Sequence, residues 1–518
     1  MQPRSTSTNV IPLTVLPSGT AITVPVGGVP VTIDLARRTS AAAPGSSLAD
    51  QIVEAIGGAI RAGDVVSGAN LPSIRALASR LGVSAFTVTE SYDRLAALAL
   101  VEARPGSGVY VTAPTARAVE ALDTVAVPEG AFGPIDLVHA FVAKSEAWIA
   151  PGNAALPRSW IEQVWRGPAI SRFQRSVFSQ VTADSAPRGY PPLLQQIAAK
   201  LAREGIAVDP ERHLLITHGS THGMDLVLRT MLAPGDTVLV EDPCYFMTEP
   251  MLVSLGVQVV AIPRRQDGPD LAAVEQALTT WRPRLFLLQA VFHNPTGWSI
   301  APPVLHQLLG LAARFGVTVV DEDVFGDFHP HRPLRPAGLA GFEHVIHIGS
   351  FTKLLGSGLR VGFVAASPAR SAELLTQRIR SVLTGSILEE TLVHEVLASG
   401  QYRRQVERLW PRLASARAVA ERRLMELGFR LTAATDPSPL IWAEAPAGID
   451  VEALVRAAGE RGVLLAPGAL FRPGRQPSRH LRFNATRATE PKLFETLAAC
   501  LAASSPNPGV PSDCAGLV

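Results

Sequence analysis

Residues 349–363, "GSFTKLLGSGLRVGF", hold one of only four lysines in a chain of 518 residues: Lys144, Lys200, Lys353 and Lys492. Arginine occupies nearly every other basic position. Arginine cannot deprotonate inside a protein and so cannot form a Schiff base. A lysine amine attacks a carbonyl once its surroundings lower its pKa. A chain that avoids lysine yet keeps Lys353 between an apolar run and three glycines therefore has a chemical reason to keep it. Ser350 and Thr352 beside it are phosphate-grade hydroxyls, and Arg360 offers a planar fork that can clamp a phosphate. Gly356, Gly358 and Gly362 allow close backbone approach.

The surrounding pattern sets the fold class. From about residue 136 to 503, apolar runs alternate with helical segments: "HLLIT", "DTVLVED", "VQVVAI", "RLFLLQA", "VTVVDED" and "HVIHIGS". Such alternation predicts an α/β domain with a mostly parallel sheet covered by helices. Ligands of these sheets sit at the carboxyl ends of the strands, so the residues there matter most. "HLLITHGSTHGMDLVLRTM" puts Ser220 and Thr221 at a helix start, where free N–H groups favour an anion. "LVEDPCYF" sets Tyr245 beyond a proline turn, placed either to stack on a flat ring or to fill a core. "LLQAVFHNPTG" ends a strand with Asn294, a turn former or an amide aimed at a ring oxygen. "VTVVDEDVFGDF" places Asp321, Glu322 and Asp323 together, three acids that are costly after a buried run unless paired or exposed.

Residues 46–113 predict a second unit. Leu48, Ile52, Ile56 and Ile60 form one helical stripe behind Ser46 or Ser47 as cap, and Gly63 stops it. "NLPSIRALASRLGVS" repeats Ile74, Leu77, Ala78 and Leu81 at helical spacing. A third helix, "SAFTVTESYDRLAAL", buries Val88, Tyr92 and Leu95. "ALVEARPGSGVYVT" reads as a hairpin. Three helices and a hairpin make a winged helix-turn-helix.

Residues 1–45 read as an extended arm. Residues 5–33 carry no charge, but Pro12, Pro17, Pro25 and Pro30 break any spanning helix. Residues 114–135 read as a linker and 504–518 as an unstructured tail. The chain is 47% hydrophobic and 18% charged with a net charge of +2, so it is globular and carries no global sign of nucleic acid or membrane. Cys244, Cys500 and Cys514 are too few and scattered for a disulfide framework or zinc site, and no metal is expected. A cytoplasmic setting is the expectation.

In their order, "GST", "DPCY", "NPTG", "DED", "SFTK" and "GLRVG" resemble the fold-type I, aminotransferase-like proteins that bind pyridoxal 5'-phosphate, with a small C-terminal α+β domain. The resemblance covers residues 136–503. It implies that Lys353 carries the cofactor as an internal aldimine. It also implies that Ser220, Thr221, Ser350, Thr352 and Arg360 hold the phosphate, that Tyr245 stacks on the pyridine and that Asn294 meets its phenolic oxygen. Glu322, with Asp321 and Asp323 on either side, aligns with the acid at the ring nitrogen, where the family usually has aspartate. Phe325 stands where the family has a tyrosine. "HLRFNATRA" resembles the segment whose arginine binds a substrate carboxylate. Arg482 is either that arginine or a surface arginine on a small-domain strand.

Residues 46–113 resemble the GntR-type winged helix, which implies DNA contacts from Arg75, Ser84, Phe86, Thr87 and Thr89 and from a wing of Arg104, Gly106, Ser107 and Gly108. The family usually has arginine where Ala85 stands and often another at Thr89. The unit carries five basic residues against six acidic ones, so affinity should lean on dimerisation and on Arg61, Arg75, Arg80 and Arg104. The two resemblances together match the MocR/GabR type of transcriptional regulator. They imply a head-to-tail homodimer on a double-stranded DNA operator that senses an amine, amino acid or B6 vitamer. The alternative is a functional aminotransferase with a vestigial reader.

Overall fold

The computed structural model describes residues 20–35, 47–112, 133–142, 148–182, 185–432 and 436–504. The chain divides into two compact units, Met1–Thr124 and Val125–Val518.

The described part of the first unit opens with a hairpin, β1 Thr20–Val26 and β2 Val29–Leu35, where the sequence suggested an extended arm. Gly27 and Gly28, both at positive φ, make the two-residue turn that this pairing needs. The Gly27 N–H donates to the Asn70 carbonyl at 3.1 Å. Strand alternation sends Val24, Val26, Val31 and Ile33 into one core with Ile52, Ile56, Leu77, Val88 and Leu95. The segment is thus a built part of this unit.

Helix α1 spans Leu48–Arg61 and is capped by Ser47 in a reciprocal pair with Asp50. Helix α2, Ile74–Leu81, is capped by Ser73. Helix α3, Ala85–Ala97, is capped by Ser84, whose Oγ accepts the Thr87 N–H at 3.1 Å. Strands β3 Val101–Arg104 and β4 Gly108–Val111 pair antiparallel as the wing. The predicted stripes are buried at Ile52, Ile56 and Ile60 of α1, Leu77, Ala78 and Leu81 of α2, and Val88, Tyr92 and Leu95 of α3, while Leu48 and Ile74 at the helix starts are half-buried.

The second unit is built on an eight-stranded sheet. Its strands are β5 Leu214–Thr217, β6 Thr237–Asp242, β7 Gln258–Arg265, β8 Gly268–Pro269, β9 Leu285–Leu288, β10 Thr318–Asp323, β11 Val345–Ser350 and β12 Gly362–Ala365. Their order is β5-β12-β11-β10-β9-β6-β7-β8. Pairing is parallel from β11 through β10, β9 and β6 to β7, while β12 runs antiparallel to both its neighbours. Each of the six quoted apolar runs contributes one of these strands. A smaller antiparallel sheet, ordered β13-β14-β16-β15, holds β13 Arg430–Leu431, β14 Leu440–Glu444, β15 Ala466–Pro467 and β16 His480–Asn484.

Most of the expected linker lies outside the described residues. Its last two residues belong to the helix Pro134–Val142, which Asp136 caps by accepting the Gly133 N–H at 2.7 Å. Of the expected tail, Ser504 ends the helix Pro491–Ser504 and the remainder lies outside the described residues. Among the described residues no helix is long and apolar enough to cross a membrane, and no cluster of His, Cys, Asp and Glu could hold a metal ion.

Candidate functional site

The strand directions decide what can meet. The carboxyl ends of β5, β6, β9, β10 and β11 share one edge of the sheet. Because β12 is antiparallel, its beginning, just after Arg360, lies at that same edge. A cavity of about 100 Å³ opens there, lined by Ser220, Thr221, Tyr245, Gln289, Asn294, Glu322, Val324, Ser350, Thr352, Lys353 and Arg360. All nine residues assigned to the cofactor by resemblance line this one cavity, although they span 141 positions of the sequence, from 220 to 360. Gln289 and Val324 also line it and were not foreseen.

One end of the cavity is built for an anion. Ser220 and Thr221 begin the helix Gly219–Met231, whose first N–H groups have no carbonyl partners within the helix. Arg360 donates to the His218 carbonyl at 3.4 Å and lies so close that a Cβ on Gly219 would sit 2.6 Å from its Nη2. Gly219, at φ +76°, is therefore required both for its backbone and for its lack of a side chain. Ser350 Oγ accepts the Thr352 N–H at 3.2 Å and keeps its own hydrogen to donate, whereas Thr352 gives its hydroxyl hydrogen to the Leu359 carbonyl at 3.1 Å.

The acid that lines the cavity is identified by strand alternation. Asp321 faces away from the cavity: its carboxylate accepts the Ala290 N–H at 3.1 Å and lies 3.2 Å from His347 Nδ1. Asp323 pairs with Arg335 and accepts the Gly326 N–H. Glu322 points the opposite way and lines the cavity. Its Oε2 accepts from Gln289 Nε2 at 2.8 Å. Burial pushes the Glu322 carboxyl above the usual carboxylate range, opposed by hydrogen bonds from Gln289 and Ser220 and by the charge of Lys353. Gln289 also accepts the Asn294 N–H at 2.6 Å, so one amide side chain braces both the acid and the turn.

Lys353 lies on the short helix Thr352–Leu355, its Nζ 5.5 Å from the centre of the Phe325 ring. Burial, then the positive charge of Arg482, pull its pKa down to about 8; Glu322 opposes and Arg360 adds to the fall. Tyr245 is half-buried, and loss of water around its hydroxyl pushes that group up to about 12; it bonds to Thr221. Arg482, on β16, is 1% exposed, which removes the surface alternative. Its Nη1 donates to Asn294 Oδ1 at 2.9 Å and its Nη2 to the Gly152 carbonyl at 2.5 Å. Its guanidinium lies 4.7 Å over Phe471, and its Nε is buried without a partner.

In the first unit, Arg75 is exposed on α2, and Ser84 and Phe86 are exposed at the start of α3, with Thr87 and Thr89 half-buried beside them. Arg104 is exposed in the wing, stacked 4.8 Å over Tyr110 and 3.7 Å from Glu102. Gly106 (φ +74°), Ser107 and Gly108 (φ +118°) form its exposed tip.

The family "Aminotransferase class I and II" matches residues 158–499, and "Bacterial regulatory proteins, gntR family" matches residues 48–111. The HTH-type transcriptional regulator YdcR of Escherichia coli is 29% identical over 448 residues, covering 84% of this chain and 94% of that protein. The 2-aminoadipate transaminase of Thermus thermophilus is 34% identical over 310 residues, covering 58% of this chain and 76% of the transaminase. The solved structure of LysN, the α-aminoadipate aminotransferase of Thermus thermophilus, in complex with N-(5'-phosphopyridoxyl)-L-leucine, superposes with a TM-score of 0.64 at 27% identity, covering 71% of this chain and 95% of LysN. This chain belongs to the class I and II aminotransferase family, a pyridoxal phosphate-dependent group, and its GntR-type reader makes it a regulator of the MocR type.

Proposed function

We propose that the chain is a pyridoxal phosphate-dependent transcriptional regulator that senses an amine, an amino acid or a B6 vitamer at Lys353 and acts as a head-to-tail homodimer on a double-stranded operator. The observation that carries this reading is the single cavity joining a buried amine of lowered pKa to an anion cradle and a buried acid. These groups fit the cofactor by chemistry. Ser220, Thr221, Ser350 and Arg360 would hold its phosphate, and Thr352 would shape the loop around them. Glu322 would hold a proton at the ring nitrogen. Asn294, whose acceptor end is taken by Arg482, has its amide hydrogens left for the ring oxygen. Tyr245 would cover the ring face. When bound, pyridoxal phosphate supplies an aldehyde that exchanges one amine for another. Lys353 supplies the protein's own amine, and a pKa of about 8 leaves part of it neutral at physiological pH.

A working aminotransferase is the second reading, favoured by the buried Arg482 bonded to Asn294. Phe325 weighs against it: its ring stands beside Lys353 and has no hydroxyl to steady a ring oxygen. One measurement tests the cofactor that both readings share, and a second separates them. Borohydride reduction after incubation with pyridoxal phosphate should fix an adduct on the peptide containing Lys353, and candidate amines should then change operator binding. Rapid, complete transamination with no response of DNA binding would favour the enzyme.

A further inference from the structure

The start of α3 has an unusual chemistry for a helix that reads DNA. Phe86 is 77% exposed, more than any other large apolar side chain among the described residues. Ala85 beside it is exposed as well. The first turn carries no acidic residue, and the helix's basic residue, Arg94, lies in its last turn, held 2.5 Å from Asp50. The hydroxyls are largely committed within the helix. Thr89 Oγ1 donates to the Ala85 carbonyl at 3.0 Å, and Ser84 Oγ and Thr87 Oγ1 share one hydrogen at 2.8 Å. Of three hydroxyl hydrogens, one is left for a ligand. What the turn presents is a phenyl ring and methyl groups.

Exposed arginine occurs instead at the flanks, Arg75 on α2 and Arg104 in the wing. Phosphate contacts position a reader and base-edge contacts specify sequence. In the major groove the apolar mark on a base edge is the thymine 5-methyl, and phenylalanine, alanine and the threonine methyl are the side chains that fit it. A bidentate arginine for guanine is missing from this turn.

Taking the DNA-binding reading above as given, we propose that this reader selects its operator through thymine 5-methyl groups, with Phe86 as the specificity-determining residue and Ala85 and the Thr89 methyl beside it. The arginines supply affinity that is indifferent to sequence.

The test uses the full-length protein loaded with pyridoxal phosphate. A duplex is selected from a random pool, and each thymine is then replaced singly by deoxyuridine, which removes the methyl and keeps base pairing. Wild type, Phe86→Ala and Phe86→Leu are titrated at one salt concentration and over a salt series. Deoxyuridine at one or two positions per half-site should weaken wild type by about fourfold per methyl. Phe86→Ala should lose that sensitivity while keeping its salt slope, and Phe86→Leu should keep part of it. Because Phe86 is exposed, an unchanged melting temperature separates lost recognition from lost folding. Sensitivity that persists in Phe86→Ala, or selected sites that depend on guanine and ignore deoxyuridine, would overturn the inference while leaving DNA binding standing. Failure to bind any duplex would overturn both.

Discussion

Arg482 Nη1 donates to Asn294 Oδ1 at 2.9 Å and thereby ties the small sheet to the turn that follows β9 of the large one. The bond orients the Asn294 amide and sets a positive charge near Lys353, the first charged group, after burial itself, that lowers the lysine pKa. Replacing Arg482 with glutamine keeps a donor and removes the charge. The pKa of Lys353 should rise above about 8. Cofactor capture by the neutral amine, followed by absorbance as a function of pH, should then shift its midpoint upward. A midpoint that stays put would mean that the charge of Arg482 does not set the pKa.

Lys353 itself gives a stability prediction for the cofactor-free protein. Its folded pKa of about 8 lies below the ordinary lysine value of 10.5. Below pH 8 the folded state holds a buried charge that the unfolded chain exposes to water. Lys353→Met should therefore stabilise the cofactor-free protein by about 3 kcal/mol at pH 7. Between pH 8 and 10.5 the folded lysine is already neutral while the unfolded one still binds its proton, so the advantage should fade across that window and end above it. Denaturant melts of both proteins at pH 7 and pH 10 decide the matter. An equal difference at the two values would assign the effect to packing.

Much of this site was legible because its signals are local. "GST", "NPTG" and "SFTK" join turn residues to the ends of apolar runs, and a parallel sheet collects those ends at one edge. The acid was not legible, because three adjacent carboxylates differ only in which face of β10 they take; Ala290, His347 and Arg335 decide it from elsewhere in the chain. The burial of Arg482 was hidden for the same reason, since Asn294 is 188 residues away. Gln289 was visible as a strand-end residue and passed over because its role depends on Glu322 reaching back to it. The hairpin before the reader was read as an extended arm because apolar/Thr alternation shows extended backbone but not its pairing; Gly27-Gly28 was the available signal for the turn.

Gln289 braces two parts of the site, so its loss should be felt twice. Gln289→Leu leaves the Asn294 N–H without its acceptor and Glu322 with only Ser220 of its two donors. An unsatisfied buried polar group costs about 1–3 kcal/mol. Melting temperature and pyridoxal phosphate affinity should both fall. Gln289→Glu should be worse for the cofactor, because it sets a second carboxyl against Glu322. If Gln289→Leu binds the cofactor as wild type does, Gln289 plays no part in positioning the acid.

The hairpin should matter to the reader's stability in proportion to what it buries. Ile33 on β2 is fully buried against α1 and its neighbours, whereas Thr32 beside it faces solvent. Truncating a buried isoleucine to alanine removes apolar contact and leaves a cavity, at a cost of about 2–5 kcal/mol. A domain of this size has about 5–15 kcal/mol of stability in total. Ile33→Ala should therefore raise amide exchange throughout α1, α2 and α3 of the full-length protein and weaken operator binding at 37 °C. Thr32→Ala should do neither, because the Thr23–Thr32 pair is exposed. Wild-type exchange and DNA affinity in Ile33→Ala would show that the hairpin rests on the reader without holding it together.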